Sequence, residues 1–225
     1  MWLIDSSIGR KLIMSITGVF LVLFLLFHST VNFLILISAD AYNAASAFLG
    51  INWYAVIGTA VLAGGFIVHI LYALYLSFQN MRARGPHNYA MTKNQKTVSW
   101  SSQNMLVLGT IVFGFLVLHL YQFWFKMQYA ELMGAHAEIK PAQAVANLFS
   151  NWVYCAIYIV WLTALWFHLT HGVWSALQTV GVNNQTWLPR LKVISNIIST
   201  IVILMFMAIP VYYLISGSLA ADCKF

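Results

Sequence analysis

Five apolar runs, each about twenty residues or longer and separated by short polar stretches, leave this chain essentially one architecture. They extend from Leu12 to Ile37, Trp53 to Met81, Gln103 to Lys126, Leu148 to Gln178 and Val193 to Ser216. Each is long enough to cross a hydrocarbon core roughly 30 Å thick. A backbone in lipid must satisfy its own N–H and C=O groups, so each run reads as a helix. Strands of a membrane barrel would be about ten residues long and alternate in polarity, and these runs do not. The expected fold is all-α, an integral membrane bundle of five transmembrane helices that forms a single domain over residues 1–225.

Composition agrees with that reading. Of 225 residues, 61% are hydrophobic and 7% charged, too little polar surface to solvate a globular fold in water. The net charge of +6 does not mark a nucleic-acid binder, because the basic residues form no patch interleaved with exposed aromatics. They mark topology. Arg10, Lys11, Arg82, Arg84, Lys93, Lys96, Arg190 and Lys192 fall on the side of the N-terminus, against Lys126, Lys140 and Lys224 on the other. The excess of cationic residues predicts an N-terminus on the inside. Most of the acids, Asp40, Glu131 and Glu138 among them, fall outside. The stretch from Asp5 to Lys11 reads as a capping and interfacial segment, and Pro210 is expected to kink the last span.

No cleavable signal peptide is expected, since the first run is too long for one. Cys155 and Cys223 make no spaced framework, and without a CxxCH sequence any haem would be held non-covalently.

The informative residues are histidines. His28, His69, His119 and His168 each lie well inside an apolar run, on four different spans, with no carboxylate on those spans to pair with them. Ionisable groups at membrane depth are costly enough to imply function. His28 and His119 are each sixteen residues beyond the start of their runs, at Leu12 and Gln103, about 24 Å at the helical rise. His69 and His168 lie twelve and ten residues from the inner ends at Met81 and Gln178, roughly 15 to 18 Å. The four rings sort into an outer and an inner pair. Two imidazoles facing each other across a bundle form the axial set of a low-spin b-type haem. One histidine alone is as readily a packing or proton-relay group, but four at matched depths favour ligation.

Gly65, four residues before His69, is expected to leave its carbonyl free for the ring N–H. Gly18, Gly58, Gly64, Gly65, Gly109, Gly114 and Gly172 would make room for flat macrocycles. His171 lies three residues beyond His168 on nearly the same face and is read as a partner for an inner haem propionate, with ligation the alternative. His87 and His136 read as solvated loop residues.

These residues resemble a known family, the di-haem cytochrome b membrane-anchor subunit of succinate dehydrogenases and fumarate reductases, in its single-anchor branch with five helices. The resemblance covers nearly the whole chain. It is carried by Gly9-Arg10-Lys11, by Ser15-Ile16-Thr17-Gly18 with His28 ten residues on, by Val117-Leu118-His119-Leu120-Tyr121, and by the segment from Phe167 to Trp174. The order His168, three residues, Gly172, Val173, Trp174 favours His168 over His171 as ligand.

The resemblance implies the electron-transfer subunit of a succinate:quinone oxidoreductase in the bacterial inner membrane, with two haem b and no dicarboxylate active site of its own. A flavoprotein subunit and an iron–sulfur subunit would dock on the inner face, and menaquinone would react near the distal haem. His69 and His168 would bind the proximal haem, His28 and His119 the distal one. Two positions depart from the family. Where some members carry a glutamate near the start of the second helix, residues 41–60 here contain no acid, so Asp40 and Tyr54 are the expected quinone-site groups. Where some carry a glutamate two residues before the fourth ligand, this chain has Trp166. The haem anchor of a formate dehydrogenase or hydrogenase, and a haem-free transporter that titrates its histidines, are the rival readings.

Overall fold

A computed structural model of the chain describes residues 6–50, 52–84, 99–134, 139–182 and 184–222. Among them there are helices and no strands. In chain order they are α1 (Ser7–Ile37), α2 (Ala39–Phe48), α3 (Trp53–Arg84), α4 (Trp100–Gln103), α5 (Met105–His119), a π-helix (Leu120–Tyr129), α6 (Ala130–Leu132), α7 (Pro141–Phe149), α8 (Trp152–Thr179) and α9 (Trp187–Asp222). Five segments are long and apolar enough to cross a membrane: α1, Trp53–Ala83 of α3, the continuous stretch Met105–Leu132, α8, and Trp187–Ser216 of α9. The five expected spans are therefore present. Asp5, Lys93, Lys96, His87, His136, Glu138, Cys223 and Lys224 lie outside the described residues.

Element ends follow local capping chemistry. Ser6 begins α1 by accepting the Gly9 N–H at 2.9 Å through its hydroxyl. Ser38 ends α1 with its N–H on the Leu34 carbonyl and starts α2 with its hydroxyl accepting the Ala41 N–H. The expected fourth span starts too early at Leu148. Residues up to Phe149 belong to α7, and α8 begins after Asn151, whose side chain accepts the Val153 N–H. Pro141 opens α7, and Asn43 of α2 accepts the Ala142 N–H at 2.9 Å, which ties the two short helices together. The fifth span begins earlier than expected, so Arg190 and Lys192 lie in its first turns rather than in a loop. That helix runs on through Pro210, which is fully buried.

The spans α1, α3, α5 and α8 form a ring. Neighbours α1 and α3, α3 and α5, α5 and α8, and α8 and α1 pack on each other, the α3 to α5 side most lightly. α9 lies outside the ring against α8 and α1. The two diagonals, α1 with α5 and α3 with α8, have little or no backbone contact. At one end, α2 and α7 cover a cluster of Ile35, Tyr42, Phe115, Val145, Phe149, Cys155, Tyr158 and Ile209. A second cluster joins Leu162, Leu165 and Leu169 of α8 to Ile203 of α9. Outward surfaces carry Ile67, Leu71 and Phe78 on α3 and Ile197, Ile201 and Leu204 on α9. Apolar exposure on that scale would aggregate a protein in water and is an ordinary surface against lipid.

Candidate functional site

Each diagonal of the ring is bridged by a pair of imidazoles. His28 of α1 faces His119 of α5, with ring centroids 6.0 Å apart and planes at 85°. His69 of α3 faces His168 of α8 at 6.5 Å and 69°. The first pair stands nearer the end covered by α2 and α7, the second nearer the end where α1 starts, because α1 and α5 run opposite to α3 and α8.

The surroundings of the first pair are aromatic. Phe24 stacks on His28 at 5.1 Å and Phe206 of α9 lies 5.6 Å from it, while Phe123 and Trp161 flank His119 at 5.2 and 6.1 Å. The Asn32 amide donates to the His28 carbonyl at 2.8 Å and lies 3.2 Å from the ring Nδ1. Tyr158, almost wholly buried, donates its phenol proton to Gln122 Oε1 at 2.7 Å and stands 3.4 Å from His119 Nδ1. Gln122 lies in the π-helix that starts directly after His119, a widening of helical register that is frequent at functional sites.

Around the second pair, Thr17 Oγ1 lies 3.3 Å from His69 Nδ1. This corrects the expectation for Gly65, since the neighbour of the ring nitrogen is a hydroxyl on α1 and not the carbonyl one turn back. Gly65 serves packing instead: a Cβ there would stand 2.6 Å from Phe20 Cε1. Two glycines do face the histidines, as a Cβ on Gly18 would lie 3.5 Å from His69 Cε1 and one on Gly109 3.8 Å from His168 Cε1. The Nδ1 atoms of His168 and His171 are buried with no hydrogen-bond partner.

His171 makes its ring contact elsewhere, on its own helix. Its ring meets Trp174 edge-on at 4.9 Å, and it lines a cavity of about 370 Å³ with Ser99, Ser101, Thr170, Lys192 and Asn196. Lys192 Nζ sits 4.8 Å over the Trp174 ring. At the other end, Asp40 is exposed in the first turn of α2. Tyr54 donates to the Phe48 carbonyl at 2.6 Å and accepts from Asn52, and no hydrogen bond joins it to Asp40. Trp166 donates its indole N–H to Thr200 of α9 at 2.9 Å.

No group of three or more metal-ligating side chains occurs among the described residues. Each pair supplies two imidazole donors, a set that suits an ion bringing the rest of its own ligands. An iron between two imidazoles with bonds of about 2 Å keeps the ring centres roughly 6 Å apart, which fits both separations. The open diagonals and the glycines against His69 and His168 fit a planar macrocycle with iron at its centre. Tyr158, Gln122, Thr17 and Asn32 were not legible as neighbours of the rings, except that Asn32 follows His28 by one helical turn.

Comparison with known proteins adds one relative. The chain is 26% identical over 181 residues, 80% of its length and 81% of the relative's, to the "Succinate dehydrogenase cytochrome b558 subunit" of Bacillus subtilis (strain 168). The resemblance drawn from the histidine segments is thus matched by a curated protein of that description. No family model matches the chain, and no solved structure matches it.

Proposed function

We propose that this chain is the membrane-anchor cytochrome b of a succinate:quinone oxidoreductase, a subunit that carries electrons between an iron–sulfur partner and menaquinone. The observation that carries the reading is the pair of histidine bridges across both diagonals, at 6.0 and 6.5 Å. The curated relative supports the same complex by its description.

In this reading His28 and His119 hold one haem b and His69 and His168 the other. A haem with two imidazole ligands supplies one-electron transfer and leaves no open position at its iron. The protein supplies orientation and dryness. Phe24, Phe206, Phe123 and Trp161 exclude water from the first pair, while Gly18 and Gly109 let backbone approach the second. Two carboxylates of the second haem would find His171, Lys192 and the polar side chains of Ser99, Ser101 and Thr170, which line one cavity.

With the N-terminus inside, that cavity faces the cytoplasm, as do Arg10, Arg82 and Arg190. The flavoprotein and iron–sulfur subunits would dock on this basic face. The quinone would react at the opposite end, near His28 and His119, with Asp40 and Tyr54 as its expected polar groups. Trp166 binds Thr200 in place of a carboxylate, so α8 offers no acid for proton conduction at that position.

A reduced-minus-oxidised visible spectrum of the purified protein, together with co-purification in mild detergent, tests the proposal. A b-type α-band with two haems per chain and an associated flavin-containing subunit are expected. Absence of the band sinks it. A band with a partner lacking flavin would favour the formate dehydrogenase or hydrogenase type of anchor.

A further inference from the structure

We infer that Thr17 and Tyr158 are positioning residues that fix the tautomers of His69 and His119, each accepting a hydrogen bond from Nδ1–H and leaving Nε2 as the lone-pair nitrogen. The inference rests on the geometry of the hydroxyl groups and deepens the haem reading above.

The destination of each hydroxyl proton decides which atom donates to the ring. Thr17 Oγ1 lies 2.9 Å from the Ile13 carbonyl oxygen and 3.1 Å from that of Met14. Carbonyl oxygens only accept, so the threonine proton is committed to its own helix. What Thr17 turns to His69 Nδ1 at 3.3 Å is therefore a lone pair, and the ring nitrogen must be the donor. Gly18 holds the same edge of the ring, since a Cβ there would meet Cε1 at 3.5 Å and Nδ1 at 3.9 Å.

Tyr158 repeats the logic with different chemistry on another helix. Its proton goes to Gln122 Oε1 at 2.7 Å, so the phenol oxygen faces His119 Nδ1 at 3.4 Å as an acceptor. A neutral imidazole protonated at Nδ1 is the form whose Nε2 can bind a metal. One ring in each facing pair is thus oriented by a hydroxyl. Its partner is not, because His168 Nδ1 has no partner and the Asn32 amide nitrogen lies near both nitrogens of His28, at 3.2 and 3.4 Å.

An acceptor on Nδ1–H makes the imidazole a richer electron donor, which favours ferric over ferrous iron. Removing the acceptor should raise the midpoint potential of that haem alone. The test is an optical redox titration of the α-bands in the intact purified complex, comparing the native chain with Tyr158→Phe, Thr17→Val and Thr17→Ser. Tyr158→Phe should shift one centre to more positive potential, Thr17→Val the other, and Thr17→Ser should restore the native value. Unchanged potentials in both Tyr158→Phe and Thr17→Val overturn the inference, as does a shift of both centres by either variant, which would mean general repacking. Should Tyr158→Phe not accumulate, the valine and serine variants at Thr17 decide. A native protein without a b-type spectrum refutes the haem reading and not the tautomer assignment, which the ring ¹⁵N shifts of His69 in Thr17→Val then test: the Nδ1–H tautomer should be lost, and its retention overturns the inference.

Discussion

Gly65 of α3 is pressed against the ring of Phe20 of α1, so closely that a Cβ on the glycine would stand 2.6 Å from Phe20 Cε1 and 2.9 Å from Cδ1. That approach sets the distance between the two helices on which α3 chiefly depends, since α1 is its main neighbour. Gly65→Ala should destabilise the fold by about 1–3 kcal/mol, the usual cost of overpacking. Thermal unfolding in mild detergent measures it. Adding Phe20→Leu should recover most of the loss, whereas Gly58→Ala, where an added Cβ meets nothing within 4 Å, should be neutral to slightly stabilising.

Replacement of the facing histidines separates the two centres. His28→Ala or His119→Ala should each halve the haem content, read as pyridine haemochrome per chain, and the residual α-band should be the same in both. His69→Ala and His168→Ala should remove the other band. His171→Ala, with its ring turned toward Trp174, should retain both haems. A loss of the same band from His28→Ala and His69→Ala would break the proposed pairing.

Arg10 provides a second tie between α1 and α3. Its guanidinium donates to the Tyr75 hydroxyl at 3.1 Å and to Gln79 Oε1 at 3.0 Å, and it lies over the Tyr75 ring. Arg10→Ala should cost about 1–2 kcal/mol, somewhat below the usual worth of hydrogen bonds to a charged group because the site is partly exposed to water. Arg10→Lys should recover only part, because one ammonium lacks the planar fork. Denaturant titration of the three proteins in detergent checks the order.

Cys155 is inaccessible, and its thiol donates to the Phe149 carbonyl at 3.1 Å across the α7 to α8 turn. A maleimide should leave it unmodified in the folded protein and label it after denaturation, as peptide mapping would reveal. Cys155→Ser, which keeps a donor for that carbonyl, should be tolerated better than Cys155→Ala.

The spans were legible in the sequence because lipid imposes one rule on a whole segment, and twenty apolar residues obey it whatever they touch. The pairing of His28 with His119 and of His69 with His168 followed from the same regularity of rise. Short elements were not legible. The α2 helix begins on Ser38 and α7 on Pro141, and their stability comes from the Asn43 to Ala142 hydrogen bond and a shared cluster, which no local pattern announces. The contacts around the rings were hidden for a related reason. Thr17 and His69 are 52 residues apart and His119 and Tyr158 are 39 apart, so only helix packing brings them together. Gly65 was misread because its spacing from His69 offered a local explanation, while the true constraint came from Phe20 on another helix.

The assignment of imidazoles to diagonals has a consequence for the order of biosynthesis. A chain threaded into the bilayer from its N-terminus has both His28 and His119 in place once three spans have entered, whereas His69 waits for its opposite number until α8 follows. The two bridges therefore become possible one after the other, with the one next to the α2 and α7 cover first.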